Sequence, residues 1–279
     1  MDVSNSRAHV STPRVLLAIP AYGADHLTHT VVADLVRDPG DVRIVVVDNR
    51  GDHELATTDP RVERYRPGVN LKWLGTVNWA LDEATAAGDD VVVVLNNDTR
   101  LSHGYVDALV RTFTVGDDVA LAAGVYDDFW LHMRAATPPA NADEYEPVER
   151  YRDVPFCDGT GIAFSVAAAA RIGRLDGDAF PEHGYGADLD YAIRAHAEGY
   201  RCVVTEQAYL SHLRRGTMAS IPEETGERHR AEILTGLDAK YPDGWRERVG
   251  LGPGAFPPHN TGSGASWYAP TVSPARSRG

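Results

Sequence analysis

The stretch VVVVLNNDTR, residues 91–100, runs four valines and a leucine straight into Asn-Asn-Asp-Thr. The apolar half has the unbroken β-branched character of a strand covered on both faces, as in a parallel sheet packed between helices. The polar half lies at the C-terminal end of that strand, the edge where open α/β sheets bind ligands. Taken alone, Asn96-Asn97-Asp98-Thr99 also reads as a turn, because Asn and Asp are turn formers. The surrounding chain decides between the two.

Upstream, RVLLAIP (14–20) and DVRIVVVDN (41–49) are two more apolar runs, and RVERYRP (61–67) is a weaker, shorter one. Between them HLTHTVVADLVRD (26–38) sets Leu27, Val31 and Leu35 at helical spacing. WLGTVNWALDEATAAG (73–88) puts Val77, Ala80, Leu81 and Ala84 on one face, with Gly88 as a stop. Downstream, 103–113 and 118–126 continue the alternation as helix and strand. The pattern predicts an α/β fold with a mostly parallel, Rossmann-like sheet flanked by helices. Residues 127–153 lose periodicity and read as a loop or insertion, a candidate lid. Residues 154–173 read as a strand, a glycine turn and a short helix. Residues 186–200 read as a helix with Leu189, Ala192, Ile193 and His196 inward. A strand with a basic loop (RCVVTEQAYLSHLRRG) and a helix within 223–240 follow.

The expected divisions are therefore a flexible N-terminus (1–13), a first α/β stretch (14–126), the 127–153 segment, a second stretch (154–222), a helical segment (223–249) and a Gly/Pro-rich tail (250–279). A net charge of −13 disfavours nucleic acid and a broad basic membrane face. Neither a signal peptide nor an apolar run of membrane-spanning length is present, so the default location is the cytoplasm, with peripheral membrane contact left open. The two cysteines, Cys157 and Cys202, lack metal-binding spacing and read as buried thiols.

Three strand ends are polar: Pro20-Ala21-Tyr22-Gly23, Asp48-Asn49-Arg50-Gly51 and Asn96-Asn97-Asp98-Thr99. Each could be a turn, but together they suggest one ligand edge. No GxGxxG or GxxxxGK[ST] is present, so a nucleotide here lacks a glycine cradle, and its diphosphate needs a divalent cation or arginines. Asp98 is the natural ligand for Mn2+ or Mg2+, which commonly take one or two carboxylates plus the substrate's phosphates. Asn96, two residues earlier, shares its side of the extended chain.

Seven segments in order over about residues 14–216 resemble the inverting family-2 glycosyltransferases of the GT-A fold, nearest the rhamnosyltransferase-like branch. They are LLAIPAYG, IVVVDNRGD, NLKWLGTVNWAL, VVLNNDT, DGTGIAFSVAAAARIGRLD, ADLDYAIRAHAEGY and SHLRRG. The resemblance implies a nucleotide-sugar-binding half (14–126) and an acceptor-binding and catalytic half (154–222) with a small acceptor-side subregion. It also implies that Pro20, Ala21 and Tyr22 line the base and that Asp48 bonds base or ribose. Asn70 to Asn78 matches an Asn-x-Gly…Asn signature near the nucleotide, with Lys72 where glycine is usual; the lysine then faces either phosphate or solvent. Asn96-Asn97-Asp98 occupies the DxD position as its Asn-x-Asp variant. His212 is implied as a further metal ligand or diphosphate contact, with Arg214 and Arg215 as phosphate contacts or solvated charges.

ADLDYAIR (187–194) resembles Glu-Asp-x-Asp…Arg with Ala187 in place of Glu. Asp188 is then the catalytic base, and Asp190 a weaker candidate or a helix-capping acid. An Asp at a helix N-terminus tends toward a low pKa. Asp158, Gly159 and Thr160 are implied on the acceptor side, with Trp130, His132, Glu182, His183 and Tyr185 as lesser candidates. The activity implied is metal-dependent, inverting transfer from a dTDP-rhamnose-like, UDP- or GDP-sugar to a hydroxyl on a glycan, lipid precursor or natural product. A homodimer is left open. The rival readings are a non-catalytic nucleotide-sugar-binding protein, favoured by Ala187, and a sugar-phosphate nucleotidylyltransferase, disfavoured because PAYGADH is not a basic Gly-rich loop.

Overall fold

The computed structural model describes residues 12–128, 130–213 and 224–250. Along the chain these form β1 (Val15–Ala21), α1 (Asp25–Arg37), β2 (Val42–Asp48), β3 (Val62–Tyr65), α2 (Lys72–Ala87), β4 (Val91–Leu95), β5 (Thr99–Leu101) and α3 (Tyr105–Thr112). They continue as β6 (Val119–Tyr126), β7 (Tyr151–Val154), β8 (Gly161–Ser165), α4 (Val166–Ile172), α5 (Ala187–Ala197), β9 (Arg201–His212), α6 (Glu224–Lys240) and α7 (Trp245–Arg248). The strands make one sheet in the order β3-β2-β1-β4-β8-β6-β9-β5, with β7 also paired to β9.

The valine-rich strands are buried as their composition requires: every residue of β4 and β6 is buried, and β1 and β2 are nearly so. In α2 the buried face carries Val77, Ala80, Leu81 and Ala84, and Gly88 ends the helix in a left-handed cap that returns its N–H to Ala84 and Thr85. The first part of the sheet is parallel: β3 on β2, β2 on β1, β1 on β4. Beyond β4 it is mixed. β8 runs antiparallel to both β4 and β6, β9 is parallel to β6, and β5 and β7 are antiparallel to β9.

Several local expectations change. The strand of 154–173 lies after the Asp-Gly-Thr-Gly turn, not before it, because only Gly161–Ser165 has partners on both sides. Residues 127–153 are not all loop. Trp130, His132, Met133, Ala135 and Ala142 are buried, Ala142–Glu144 make a 3-10 turn, and the segment ends in β7. His196 is exposed, off the inner face of α5, where it contacts the carbonyls of Pro155 and Tyr200. Cys157 and Cys202 are free and buried. No helix among the described residues is long and apolar enough to cross a membrane. Residues 1–11, most of the expected N-terminal segment, and the tail from 251 lie outside the described residues.

Lys72 resolves the question its sequence position raises. Its φ is +57°, the left-handed conformation that glycine adopts freely. The loop thus keeps a glycine-like turn with a lysine in it, helped by the Asn70 side chain accepting from the Lys72 N–H at 2.9 Å. Lys72→Gly is expected to leave unfolding free energy within about 1 kcal/mol of the parent, since relief of roughly 1–2 kcal/mol of left-handed strain offsets the lost side chain. Lys72→Val, β-branched and ill suited to positive φ, should cost more than the glycine change. Denaturant titrations check the order of the two variants, and the reverse order would refute the assignment.

Candidate functional site

The sheet register brings the polar strand ends together. Ala21 pairs with Asp48, and Ala18 with Val94, so β1, β2 and β4 finish at one edge. Because β8 is reversed, its leading turn 158–160 joins that edge, where the Asn96 N–H bonds the Thr160 carbonyl at 2.9 Å. β6 and β9 end there too, and Thr99 pairs with His212.

At the β1–β2 side, Tyr22 is half exposed at 51%, Ala21 is buried and Pro20 is partly buried. Asp48 is 2% exposed and accepts from Gly51 N–H at 2.7 Å and from His53 N–H and Arg66 Nε at 3.1 Å each. Burial raises its pKa, but these donors outweigh that and hold it below the usual carboxylate range. Both oxygens are engaged in shaping the loop, so a base or ribose would meet Arg66 and the loop backbone as much as Asp48 itself. Asn78 is a clamp: its amide exchanges two 2.9 Å bonds with the backbone of Leu175 and ties α2 to the loop after α4. That geometry takes it away from the nucleotide contact expected of it.

The acid of the opening stretch has a clear partner. Asp98 is 8% exposed, and its Oδ1 lies 3.2 Å from His212 Nε2. The other ring nitrogen, Nδ1, is held by Asp128. Asp127 takes the His212 backbone N–H at 2.9 Å and the Ser211 hydroxyl at 2.7 Å. Burial works against charge on His212, but the bonds and charges of Asp128 and Asp98 prevail and push it up to about 10. Asn97, by contrast, is buried and donates to Thr28 at 3.1 Å, which fastens the turn to α1. The Asn96 side chain is partly exposed and has no bond to Asp98 or His212. Arg214 and Arg215 lie outside the described residues.

The second acid group sits across the 158–160 turn. Asp158 accepts from the Thr160 N–H at 2.9 Å, from the Thr160 hydroxyl, and from Trp130 Nε1 at 2.9 Å. Trp130 is 6% exposed and edge-on to Phe156, so it serves as core and as a donor to Asp158 rather than as an open stacking face. Asp188, at the start of α5, accepts the Gly159 N–H at 3.1 Å. Gly159 is pressed beneath Trp73, whose ring would meet an added Cβ at 2.5 Å and whose Nε1 donates to the Gly159 carbonyl at 2.9 Å. The low pKa expected of Asp188 from the helix N-terminus is overturned. Burial and the neighbouring charge of Asp158 outweigh the backbone donors and raise it to about 7.

Asp190 is not at the open edge. It is 0% exposed and bonded to Arg194 Nε at 2.9 Å, Tyr241 hydroxyl at 2.7 Å and Lys240 Nζ at 2.8 Å, which locks α5 to α6. His132 is fully buried against the Phe156 carbonyl at 3.0 Å, and burial lowers it to about 4. His183 is partly buried and Tyr185 39% exposed, with ring centroids 6.2 Å apart. Their loop is gripped from both sides. Lys72 Nζ donates to the Glu182 carbonyl, and Glu232 of α6 accepts the N–H groups of Glu182, His183 and Gly184 at 2.8 to 3.1 Å.

Asp127, Asp128, Trp73 and Glu232 were missed by sequence reasoning. The first two carry a usable signal, since they follow a buried strand at its C-terminal end just as Asn96-Asn97-Asp98 does. Glu232 carries none, because its three donors are backbone amides fifty residues away.

Glu232→Ala leaves those amides without their acceptor. Hydrogen bonds to a charged group contribute roughly 1.5–3 kcal/mol, so the variant should lose stability on that order and show faster amide hydrogen exchange at 182–184. Unchanged exchange there would contradict the clamp. Asp188 supplies a pH signature. Its folded pKa exceeds the unfolded carboxylate value, so the folded state holds the extra proton and stability falls as pH rises from about 4 toward 7. Asp188→Asn removes that loss, and its thermal midpoint should gain on the parent across this window. A pH-independent difference would contradict the shift.

Among the described residues no group of three His, Cys, Asp or Glu side chains could hold a metal ion. Asp98 and His212 form a two-donor set, which suits a cation shared with a substrate diphosphate rather than one caged by protein.

The chain matches the family model described as glycosyltransferase like family 2 over residues 13–233. It is 37% identical over 241 residues to proteins of Mycobacterium bovis and Mycobacterium tuberculosis whose names assign no activity, covering 85% of this chain and 88% of theirs. Two solved structures share the fold. One is a mannosyltransferase from Pyrobaculum calidifontis in complex with GDP-Man and Mn2+ (TM-score 0.57, 16% identity, 84% of this chain and 66% of that one). The other is GalNAc-T7 with UDP, GalNAc and Mn2+ (TM-score 0.53, 11% identity, 72% and 44%). The sheet, its ligand edge and these likenesses agree: the chain belongs to the family-2-like glycosyltransferases and has the GT-A fold.

Proposed function

We propose that this glycosyltransferase is an inverting, cation-assisted enzyme that moves a sugar from a nucleoside diphosphate donor to a hydroxyl acceptor. The observation that carries the reading is one sheet edge holding two distinct acid groups. Asp98 with His212 forms one, and Asp188 on the Gly159 amide, raised toward neutrality, forms the other. A cation needs the first; a general base needs the second.

Asp98 and His212 would hold Mn2+ or Mg2+ alongside the donor's diphosphate, and the ion would supply charge neutralisation for the departing nucleoside diphosphate. Both solved structures named above contain Mn2+ and a nucleotide or nucleotide sugar, which supports this donor class. Tyr22, Arg66 and the Asp48 loop face the base. Asp188 accepts the proton of the acceptor hydroxyl as its oxygen attacks the anomeric carbon opposite the diphosphate, which inverts that centre. Raised by burial and by the Asp158 charge, Asp188 is a stronger base than an ordinary aspartate. Its bond to the Gly159 N–H leaves further lone pairs for the acceptor. Ala187, in place of the usual Glu, is 0% exposed, so its methyl is covered by packing and not presented to the acceptor. Among donors we favour a dTDP-rhamnose-like sugar, following the branch resemblance, ahead of UDP- and GDP-sugars. His183 and Tyr185, on their clamped loop, offer the acceptor a ring surface.

A panel of dTDP-, UDP- and GDP-sugars, each with Mn2+ or Mg2+, tests this by calorimetry and by slow donor hydrolysis. One donor class should bind in a cation-dependent way. Asp98→Ala should weaken that binding, and Asp188→Asn should retain it while turnover falls by roughly 10²–10⁴-fold. Turnover by the parent should rise with pH through a half-maximum near 7 and level off only above it. Binding of no nucleotide sugar, or full turnover by Asp188→Asn, overturns the reading.

A further inference from the structure

β6 and β9 are parallel neighbours, and their last paired residues are Tyr126 and Leu210. Asp128 and His212 each lie two residues beyond that pair. Asp128 sits in the bend that follows β6, so the pairing of the two strands brings this aspartate close to the histidine at the end of β9.

The two consecutive acids after β6 divide their work. Asp127 fixes the backbone, through the His212 N–H at 2.9 Å, and the neighbouring Ser211 hydroxyl at 2.7 Å. Asp128 alone takes the ring, through Nδ1. The imidazole has two nitrogens on opposite sides, so holding Nδ1 on Asp128 turns Nε2 toward Asp98, 3.2 Å away. All three side chains are well shielded, at 14% exposure for His212, 13% for Asp128 and 8% for Asp98, so water competes little for these bonds.

We propose that Asp128 is a positioning residue for the cation site: it fixes the His212 ring so that Nε2 and the Asp98 carboxylate present themselves to the same ion. The inference rests on the reading of His212 as a ligand. Partners of this kind orient a ligating histidine and raise its basicity, and their loss commonly lowers metal affinity by about 10–100-fold.

The test uses the full chain and Mn2+ in the presence of UDP, GDP or dTDP, with free Mn2+ followed by electron paramagnetic resonance. Asp128→Ala should weaken Mn2+ binding by about 10–100-fold. Asp128→Asn, whose amide oxygen can still accept from Nδ1, should recover much of that loss and stands in if the alanine variant fails to fold. Because Asp128 acts through the ring, Asp128→Ala combined with His212→Ala should bind Mn2+ no more weakly than His212→Ala alone. Losses that multiply in the double variant, or Mn2+ affinity unchanged in Asp128→Ala, overturn the role of Asp128 and leave the cation site standing. A parent protein that takes up no Mn2+ with any of the three diphosphates overturns the cation site and this inference together.

Discussion

β8 runs against both of its neighbours, β4 and β6, and this reversal is what the site depends on. In a wholly parallel sheet only strand C-termini reach the ligand edge. Here the antiparallel strand delivers its N-terminal turn, Asp158-Gly159-Thr160, to the edge where β4 delivers Asp98 and β6 delivers Asp127 and Asp128. The Asn96 N–H to Thr160 carbonyl bond is the hinge point of that arrangement. The turn in turn needs Gly159, because Trp73 leaves no room for a side chain. Asp188 then meets the Gly159 amide, so the proposed base is placed by a turn, and the turn by a strand direction.

The acids gathered at this edge are tolerable only because each has an answer to its charge. Asp98 and Asp128 share the His212 imidazolium. Asp158 is partly buried beside Thr160 and Trp130 donors and is raised by burial, with the Asp128 charge adding to it and His212 opposing it. Asp188 is raised by burial and by Asp158. Asp190, one turn into α5, is instead neutralised by Arg194 and Lys240 and acts as a rivet for α6. Two acids of one short motif thus take opposite parts. One is kept basic at the open edge, and the other is sealed into the packing beneath it.

Much of the architecture was legible in the chain, for physical reasons that also mark where legibility stops. β1, β2, β4 and β6 declare themselves because strands buried on both faces must be apolar throughout, and α1 and α2 because a one-sided helix must repeat near 3.6 residues. β5 is only three residues long, and its backbone is held by distant groups: Leu101 N–H bonds the Asp34 carboxylate of α1, which also takes Arg100. β7 exists because β9 offers it an edge. Neither has a local signal to read. Asp98 and His212 were legible through spacing and resemblance, and they do meet. Asn78 and Asp190, drawn from the same motifs, turned out to be structural bonds, since a motif marks a position without saying which of its polar groups faces the ligand. The low pKa expected of Asp188 failed because a helix-terminus effect of about 0.3–1 kcal/mol is small beside burial next to another carboxylate.

The same electrostatics bear on why a nucleoside diphosphate would come here with a cation. An anion approaching the ends of β4, β6 and β9 meets Asp98, Asp127 and Asp128 around one imidazolium, so the edge is acidic even with His212 charged. A diphosphate entering alone would be repelled. Paired with a divalent ion, under the reading proposed above, it would bring positive charge to Asp98, and the ion would compete with His212 for that carboxylate. For His212 to change from the partner of Asp98 to a ligand beside it, the ring must stay where it is while its nitrogen gives up a proton. A ring held only by Asp98 would be free to swing once that contact was replaced. Held at Nδ1 by Asp128, in the bend that follows β6, it would keep its aim as the charge around it changes.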